Sequence, residues 1–173
     1  MTNLNDRPQE GSDGIRVVRI AEGAGSEHLG ANVYELQPGD EMVFHYHVAR
    51  EELLVVLAGS LDLRAATGWE TLPEGEVVAF PRGARGAHGY RNAGTAPVRV
   101  LMISEMNGPN VSVYPDLDRI GVFDEGVRAR RQFGALFNVG DAVADYGGAK
   151  ARVVPPQPGP RETGRASGGG PQA

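Results

Sequence analysis

Gly39-Asp-Glu-Met-Val-Phe-His45-Tyr-His47-Val-Ala-Arg-Glu51-Glu52-Leu-Leu-Val-Val-Leu-Ala-Gly59 is the stretch from which the rest of the chain is read. Side chains alternate between the two faces of a strand, so His45 and His47 project together while Tyr46 faces away. Two imidazoles spaced about 7 Å along one face can converge on a single ion by rotamer choice. After a short turn Glu52 opens the next strand. It shares parity with Leu54 and Val56, which predicts that all three look into one interior. Glu51 competes for the same role, but the count to Gly59 and the inward parity select Glu52 and turn Glu51 to solvent. Gly59, followed by Ser60, permits a sharp reversal into the next strand.

A second segment carries the third histidine of the cluster: Gly75-Glu-Val-Val-Ala-Phe-Pro81-Arg-Gly83-Ala-Arg-Gly-Ala-His88-Gly-Tyr-Arg-Asn92. Gly75 ends a turn, Pro81 closes an apolar strand, and Gly83 and Gly86 make the following loop flexible. His88, Tyr90 and Asn92 then share a face. Bringing His88 beside His45, His47 and Glu52 completes a set of three nitrogens and one carboxylate. Such a set suits Fe(II), Mn(II), Ni(II), Cu(II) or Zn(II). On an octahedral ion it leaves two positions for water, substrate or dioxygen. His28, in Ser26-Glu-His-Leu-Gly30, has no partner spacing and reads as a surface loop residue.

The first segment resembles the first motif of the cupin family, G-(x)5-H-x-H-(x)4-E-(x)6-G, at every position. The second resembles the family's second motif at Gly75, Pro81, Gly83, His88 and Asn92, with four residues rather than two between Gly83 and His88. The resemblance spans about residues 15–125. It implies an all-β fold, the double-stranded β-helix or jelly roll, with few or no helices, two antiparallel sheets enclosing a metal, and His45, His47, Glu52 and His88 as its ligands. It also implies a homodimer formed by sheet packing and exchange of N-terminal strands. The outward apolar positions Leu53, Val55 and Leu57 suit such a face.

The remaining sequence agrees with one β domain. Short β-branched runs punctuated by Gly, Pro and Asp include Ile15–Ile20, Ala31–Gln37, Glu52–Leu57, Ser60–Ala65, Glu76–Phe80, Gly89–Asn92, Val98–Glu105, Val111–Tyr114 and Arg119–Phe123. No sustained 3.6-residue apolar period occurs between them. Residues 1–14 read as a disordered lead-in. Residues 126–150 read as an extension packing on the barrel, with Phe133, Leu136, Phe137 and Val139 in a short helix or irregular arm. Residues 151–173 form a Pro/Gly-rich tail with too few packing side chains to offset the entropy of ordering.

Composition narrows the function classes. The chain has no cysteine, so disulfides, thiolate metal sites and a cysteine nucleophile are excluded. A net charge of -5, with Lys150 the only lysine, argues against a nucleic-acid partner. No apolar run approaches the ~20 residues of a bilayer span. The first residues lack the features of a signal peptide, so a soluble, cytoplasmic protein without membrane partners is expected.

Two roles are open for Tyr90: orienting a substrate or giving it a proton beside the metal, or plain packing. Arg64, Arg82, Arg85 and Arg91 are candidates for collecting a substrate carboxylate at the barrel mouth, Arg85 first among them. The functional expectation is a metal-dependent small-molecule enzyme of dioxygenase-like type. The alternatives are isomerase or lyase chemistry at the same metal, and a non-catalytic binding or regulatory module. Metal-independent sugar epimerisation needs only a general-base histidine, and the full quartet counts against it.

Overall fold

The structure, a computed structural model, describes residues 2–11, 15–106, 108–124 and 133–142. Among them are thirteen strands: β1 (Gln9–Glu10), β2 (Arg16–Arg19), β3 (Leu29–Leu36), β4 (Glu41–His47), β5 (Glu52–Ala58), β6 (Ser60–Ala65), β7 (Gly68–Pro73), β8 (Val77–Phe80), β9 (His88–Arg91), β10 (Val98–Glu105), β11 (Asn110–Tyr114), β12 (Arg119–Phe123) and β13 (Gly134–Asn138). One short α-helix, α1 (Ile20–Ala24), ends where Gly25 adopts φ 86. No helix among the described residues is long and apolar enough to cross a membrane.

The strands form two antiparallel sheets, one ordered β1-β2-β3-β10-β5-β8 and the other β13-β12-β11-β4-β9-β6-β7. Their facing sides make the core. On β5, Glu52, Leu54 and Val56 are buried while Leu53, Val55 and Leu57 are half-buried on the outer side, as the alternation requires. On β10 the same rule buries Val98, Val100 and Met102. From the other sheet come Leu61, Leu63, Leu72 and Tyr90. Each fully buried aliphatic side chain contributes roughly 1.5–3 kcal/mol relative to exposure. Between β5 and β6 the chain reverses at Gly59, whose φ of 86 belongs to the left-handed region.

Three elements differ from the sequence expectation. Gly134–Asn138, within the expected helix or irregular arm, form a strand, and Val139 begins a 3-10 turn, Val139–Asp141. Pairing from Arg119↔Asn138 to Phe123↔Gly134 satisfies the backbone of β13, a term that apolar spacing along the sequence does not report. β7 was not expected, because its polar, exposed residues carry only Leu72 as an inward anchor; its register on β6 runs from Ser60↔Pro73 to Ala65↔Gly68. In the lead-in, β1 pairs with β2, and Arg99 donates to the Leu4 carbonyl at 2.6 Å. Residues 12–14, 125–132 and 143–173 lie outside the described residues, and with them most of the expected extension and the whole of the tail.

Candidate metal centre

A break in strict alternation positions the first two imidazoles. β4 pairs with β9 through Met42↔Tyr90 and then His45↔His88, so three steps on β4 match two on β9. This bulge lets Met42 pack against the core while His45 and His47, of opposite parity, face the same interior. Val43 and Phe44 both turn outward, Val43 exposed and Phe44 beneath the Arg64 guanidinium at 4.1 Å. Opposite the bulge sits Gly89, where a Cβ would lie 3.0 Å from the Met42 carbonyl oxygen.

The rings gather closely. His45 stands 4.7 Å from His88 and 4.9 Å from His47, centroid to centroid. Phe80 stacks on His88 at 3.8 Å with planes 12° apart, and Tyr114 stacks on His45 at 5.9 Å. Each ring is held at Nδ1. His45 bonds the Val43 carbonyl at 2.7 Å and His88 bonds the Gly86 carbonyl at 2.8 Å. A carbonyl only accepts, so both rings donate from Nδ1 and, when neutral, present the Nε2 lone pair. His47 uses side chains instead, with Nδ1 2.9 Å from Asn110 Oδ1 and 3.0 Å from Ser112 Oγ.

Glu52 meets these rings from the other sheet. The register Ser104↔Glu52 lets the Ser104 hydroxyl donate to Oε1 at 2.5 Å. The second oxygen, Oε2, lies 3.1 Å from His47 Nε2 and 3.4 Å from His88 Nε2. His88 Nε2 is fully buried and makes no hydrogen bond despite that proximity. The tautomer explains this: a ring donating from Nδ1 turns a lone pair toward a carboxylate oxygen, and two acceptors face each other. A shared cation relieves that arrangement, and buried polar atoms are seldom left without a partner. Ligating atoms of His45, Glu52 and His88 all lie within 4.8 Å of one another, so these residues form a candidate metal site. The donor set fits a divalent ion.

Electrostatics separate the four groups. Burial lowers the His45 pKa. Burial, with the nearby His45, pushes His88 down to about 4. Burial opposes the charged forms of Glu52 and His47 too, but their mutual hydrogen bond and attraction outweigh it. Glu52 is held down to about 2 and His47 is raised. His45 and His88, kept neutral beside an ionised carboxylate, are in the protonation state that metal coordination requires.

The loop before His88 takes up its two additional residues in a 3-10 turn, Ala84–Gly86. The Gly83 amide donates to the His47 carbonyl at 2.8 Å, tying that loop to β4. Glu51 is exposed and His28 lies on the surface. Tyr90, 2% exposed, belongs to the core cluster, which favours packing over proton transfer. Three of the arginines are engaged elsewhere: Arg64 with Asp116, Arg82 with Glu105, and Arg91 over Trp69 beside Asp62. Arg85 is exposed. Sequence reasoning missed Ser104, Asn110, Ser112 and Tyr114. A signal existed for Ser104, which continues the inward parity of Val98, Val100 and Met102.

A double-stranded β-helix with imidazoles and a carboxylate gathered between its sheets defines a class of small-molecule-binding barrels. Residues 32–104, from β3 to β10, match the cupin domain family, and the chain carries a small cupin domain. Among solved structures it is similar to one from Silicibacter pomeroyi described as a sugar phosphate isomerase from a cupin superfamily, at 24% identity and TM-score 0.68, covering 78% of this chain and 82% of that one. A putative sugar phosphate isomerase from Acidithiobacillus ferrooxidans matches at 24% identity and TM-score 0.66, covering 75% and 79%. A predicted oxalate decarboxylase from Thermotoga maritima matches at 16% identity and TM-score 0.52, covering 61% and 97%. At these identities the likeness is one of fold. The sequence matches no curated protein.

Proposed function

We propose that this protein is a metal-dependent enzyme acting on a small molecule by dioxygenase-like chemistry, with His45, His47, Glu52 and His88 holding one divalent ion. The observation that carries the reading is the buried Nε2 of His88, a lone pair turned toward a carboxylate with no proton donor between them. Fe(II), Mn(II), Ni(II), Cu(II) and Zn(II) all suit this donor set. Such an ion supplies Lewis acidity and open positions for substrate oxygen or dioxygen. The protein's part is orientation. Backbone carbonyls fix His45 and His88, Asn110 and Ser112 fix His47, and Ser104 holds the far oxygen of Glu52. Outer partners of this kind typically change metal affinity by about 10–100-fold. Tyr90 has no chemical role in the proposal.

Elemental analysis tests the centre. Purified protein should carry close to one divalent ion per chain, and the double change His45→Ala with His47→Ala should abolish it. Near-stoichiometric metal in that variant contradicts the assignment. Oxygen uptake by the Fe(II)-loaded protein, screened against catechols, diketones and thiol acids, tests the chemistry. Consumption with one class supports the dioxygenase reading. Turnover without oxygen selects isomerase or lyase chemistry, a reading supported by the two sugar phosphate isomerase descriptions among the fold neighbours. Bound metal with no turnover selects a binding or regulatory module. The same proposal includes a homodimer, supported by the outward apolar rows Leu53–Ile103 and Val55–Leu101 on the six-stranded sheet.

A further inference from the structure

The inner face of the seven-stranded sheet continues past the imidazoles, and its composition changes there from polar to apolar. Ser112 pairs with His47 across β11 and β4, and its hydroxyl lies against the His47 ring, which places both on the inner face. Ser112 pairs in turn with Gly121, and Gly121 with Leu136. These four positions form one row from β4 to β13, with neighbouring strands about 4.8 Å apart. A Cβ on Gly121 would lie 2.6 Å from Phe123 Cε2 and 3.1 Å from Leu136 Cδ2. The Phe123 ring and the Leu136 side chain therefore meet over Gly121, on the side that carries Ser112 and His47. Gly121 is not among the glycines with positive φ, so backbone conformation does not call for it; its missing side chain is what leaves room for the ring. Tyr114, also of inward parity, stacks on His45 at the other side of the row.

We propose that Phe123 and Leu136, which meet over Gly121, together with Tyr114 on the other side of the row, form a shelf for the flat body of an aromatic substrate whose chelating oxygens reach the metal. The proposal rests on the metal reading above and adds the substrate class. Three observations carry it. The shelf is continuous with the metal cluster through the row His47–Ser112–Gly121–Leu136. Two of its three side chains are aromatic, and rings stack best on flat partners. Leu136 is 55% exposed, an apolar surface left open at the end of the row. Small-molecule sites commonly combine an apolar wall with a few converging polar groups. A sugar phosphate has neither a flat apolar body nor a use for this wall.

The test uses hydroxamic acids, which share one chelating head and differ in the body behind it. Acetohydroxamic, cyclohexanehydroxamic, benzohydroxamic and 2-naphthohydroxamic acids are titrated calorimetrically into the Zn(II)-loaded full-length protein. The expected result is a gain of about tenfold per aromatic ring over the acetyl compound, with phenyl above cyclohexyl. Leu136→Ser should remove most of the naphthyl gain while leaving acetohydroxamate affinity and zinc content unchanged. Gly121→Val should do the same by displacing the Phe123 ring. Equal affinity across the series, or a naphthyl gain that survives both changes, overturns the proposal. The shelf is also tested without metal, by adding 2-naphthohydroxamic acid to the metal-free protein and following the Leu136 methyl resonances. Unmoved resonances overturn the shelf. Failure of the metal reading is seen separately, as a protein without zinc that does not bind acetohydroxamate.

Discussion

Replacing Gly86 by alanine puts a methyl group where the backbone leaves no room for one. Its Cβ would lie 1.9 Å from the Pro81 carbonyl oxygen and 2.9 Å from the carbonyl carbons of Phe80 and Pro81. Cβ atoms essentially never approach other heavy atoms within 3.0 Å, so the turn must open by about an ångström. The obstacle is backbone on the far side, not a side chain that can rotate away. Opening costs about 1–3 kcal/mol, the usual range for overpacking a tight site. The same movement carries the Gly86 carbonyl away from His88 Nδ1, the 2.8 Å bond that fixes the ring's tautomer. Loss of such an orienting bond lowers metal affinity by about 10–100-fold. Two measurements check the change: the denaturant midpoint of the metal-free protein, and competition with a calibrated chelator for the bound ion. Ala84→Ser, at an exposed position of the same turn, serves as the control and should alter neither. A Gly86→Ala protein with an unchanged midpoint and undiminished metal affinity would refute the argument that this turn positions His88.

The metal-free protein should lose stability toward acid in two stages. The folded-state pKa of His88 is about 4 against an ordinary 6.5, so the unfolded chain takes up a proton first as pH falls. Stability therefore declines between about 6.5 and 4, by up to roughly 3 kcal/mol from this group. His45 acts in the same direction, and the raised His47 opposes them. Glu52, held at about 2 against 4.5, contributes stability above 4.5 that is lost as pH falls toward 2. Denaturant midpoints measured across pH should show both stages, and His88→Gln should flatten the upper one; a variant with an unaltered profile contradicts the assignment. For the dimer, Val55→Lys in the outward face of β5 should convert a sedimenting dimer to a monomer that retains its metal. Wild-type protein that sediments as a monomer at micromolar concentration removes the dimer from the proposal.

Two short segments made much of the site legible. His45, His47 and Glu52 could be assigned to one interior because strand parity is a local rule, and Gly59 and Gly83 mark reversals at positive φ. Strand boundaries matched closely where aliphatic residues recur at alternate positions, as in β6, β10 and β12. They failed where pairing rather than apolar pattern makes the strand. β7 is polar and exposed, and β13 exists through its hydrogen bonds to β12, so neither announces itself in composition.

What the amino-acid order determined by itself was the candidate donor residues, their spacing and the inward parity of β5, because each depends only on residues a few positions apart. Tertiary structure alone decided the rest. The bulge in β4 reconciles Met42 with His45 on one face, and its existence depends on β9 pairing across the sheet. The register of β10 on β5 sets Ser104 against Glu52, and that of β11 on β4 sets Ser112 against His47. The shelf over Gly121 requires β12 and β13 to lie beside them. Register is a long-range property, fixed by the packing of whole sheets, and no local sequence window contains it.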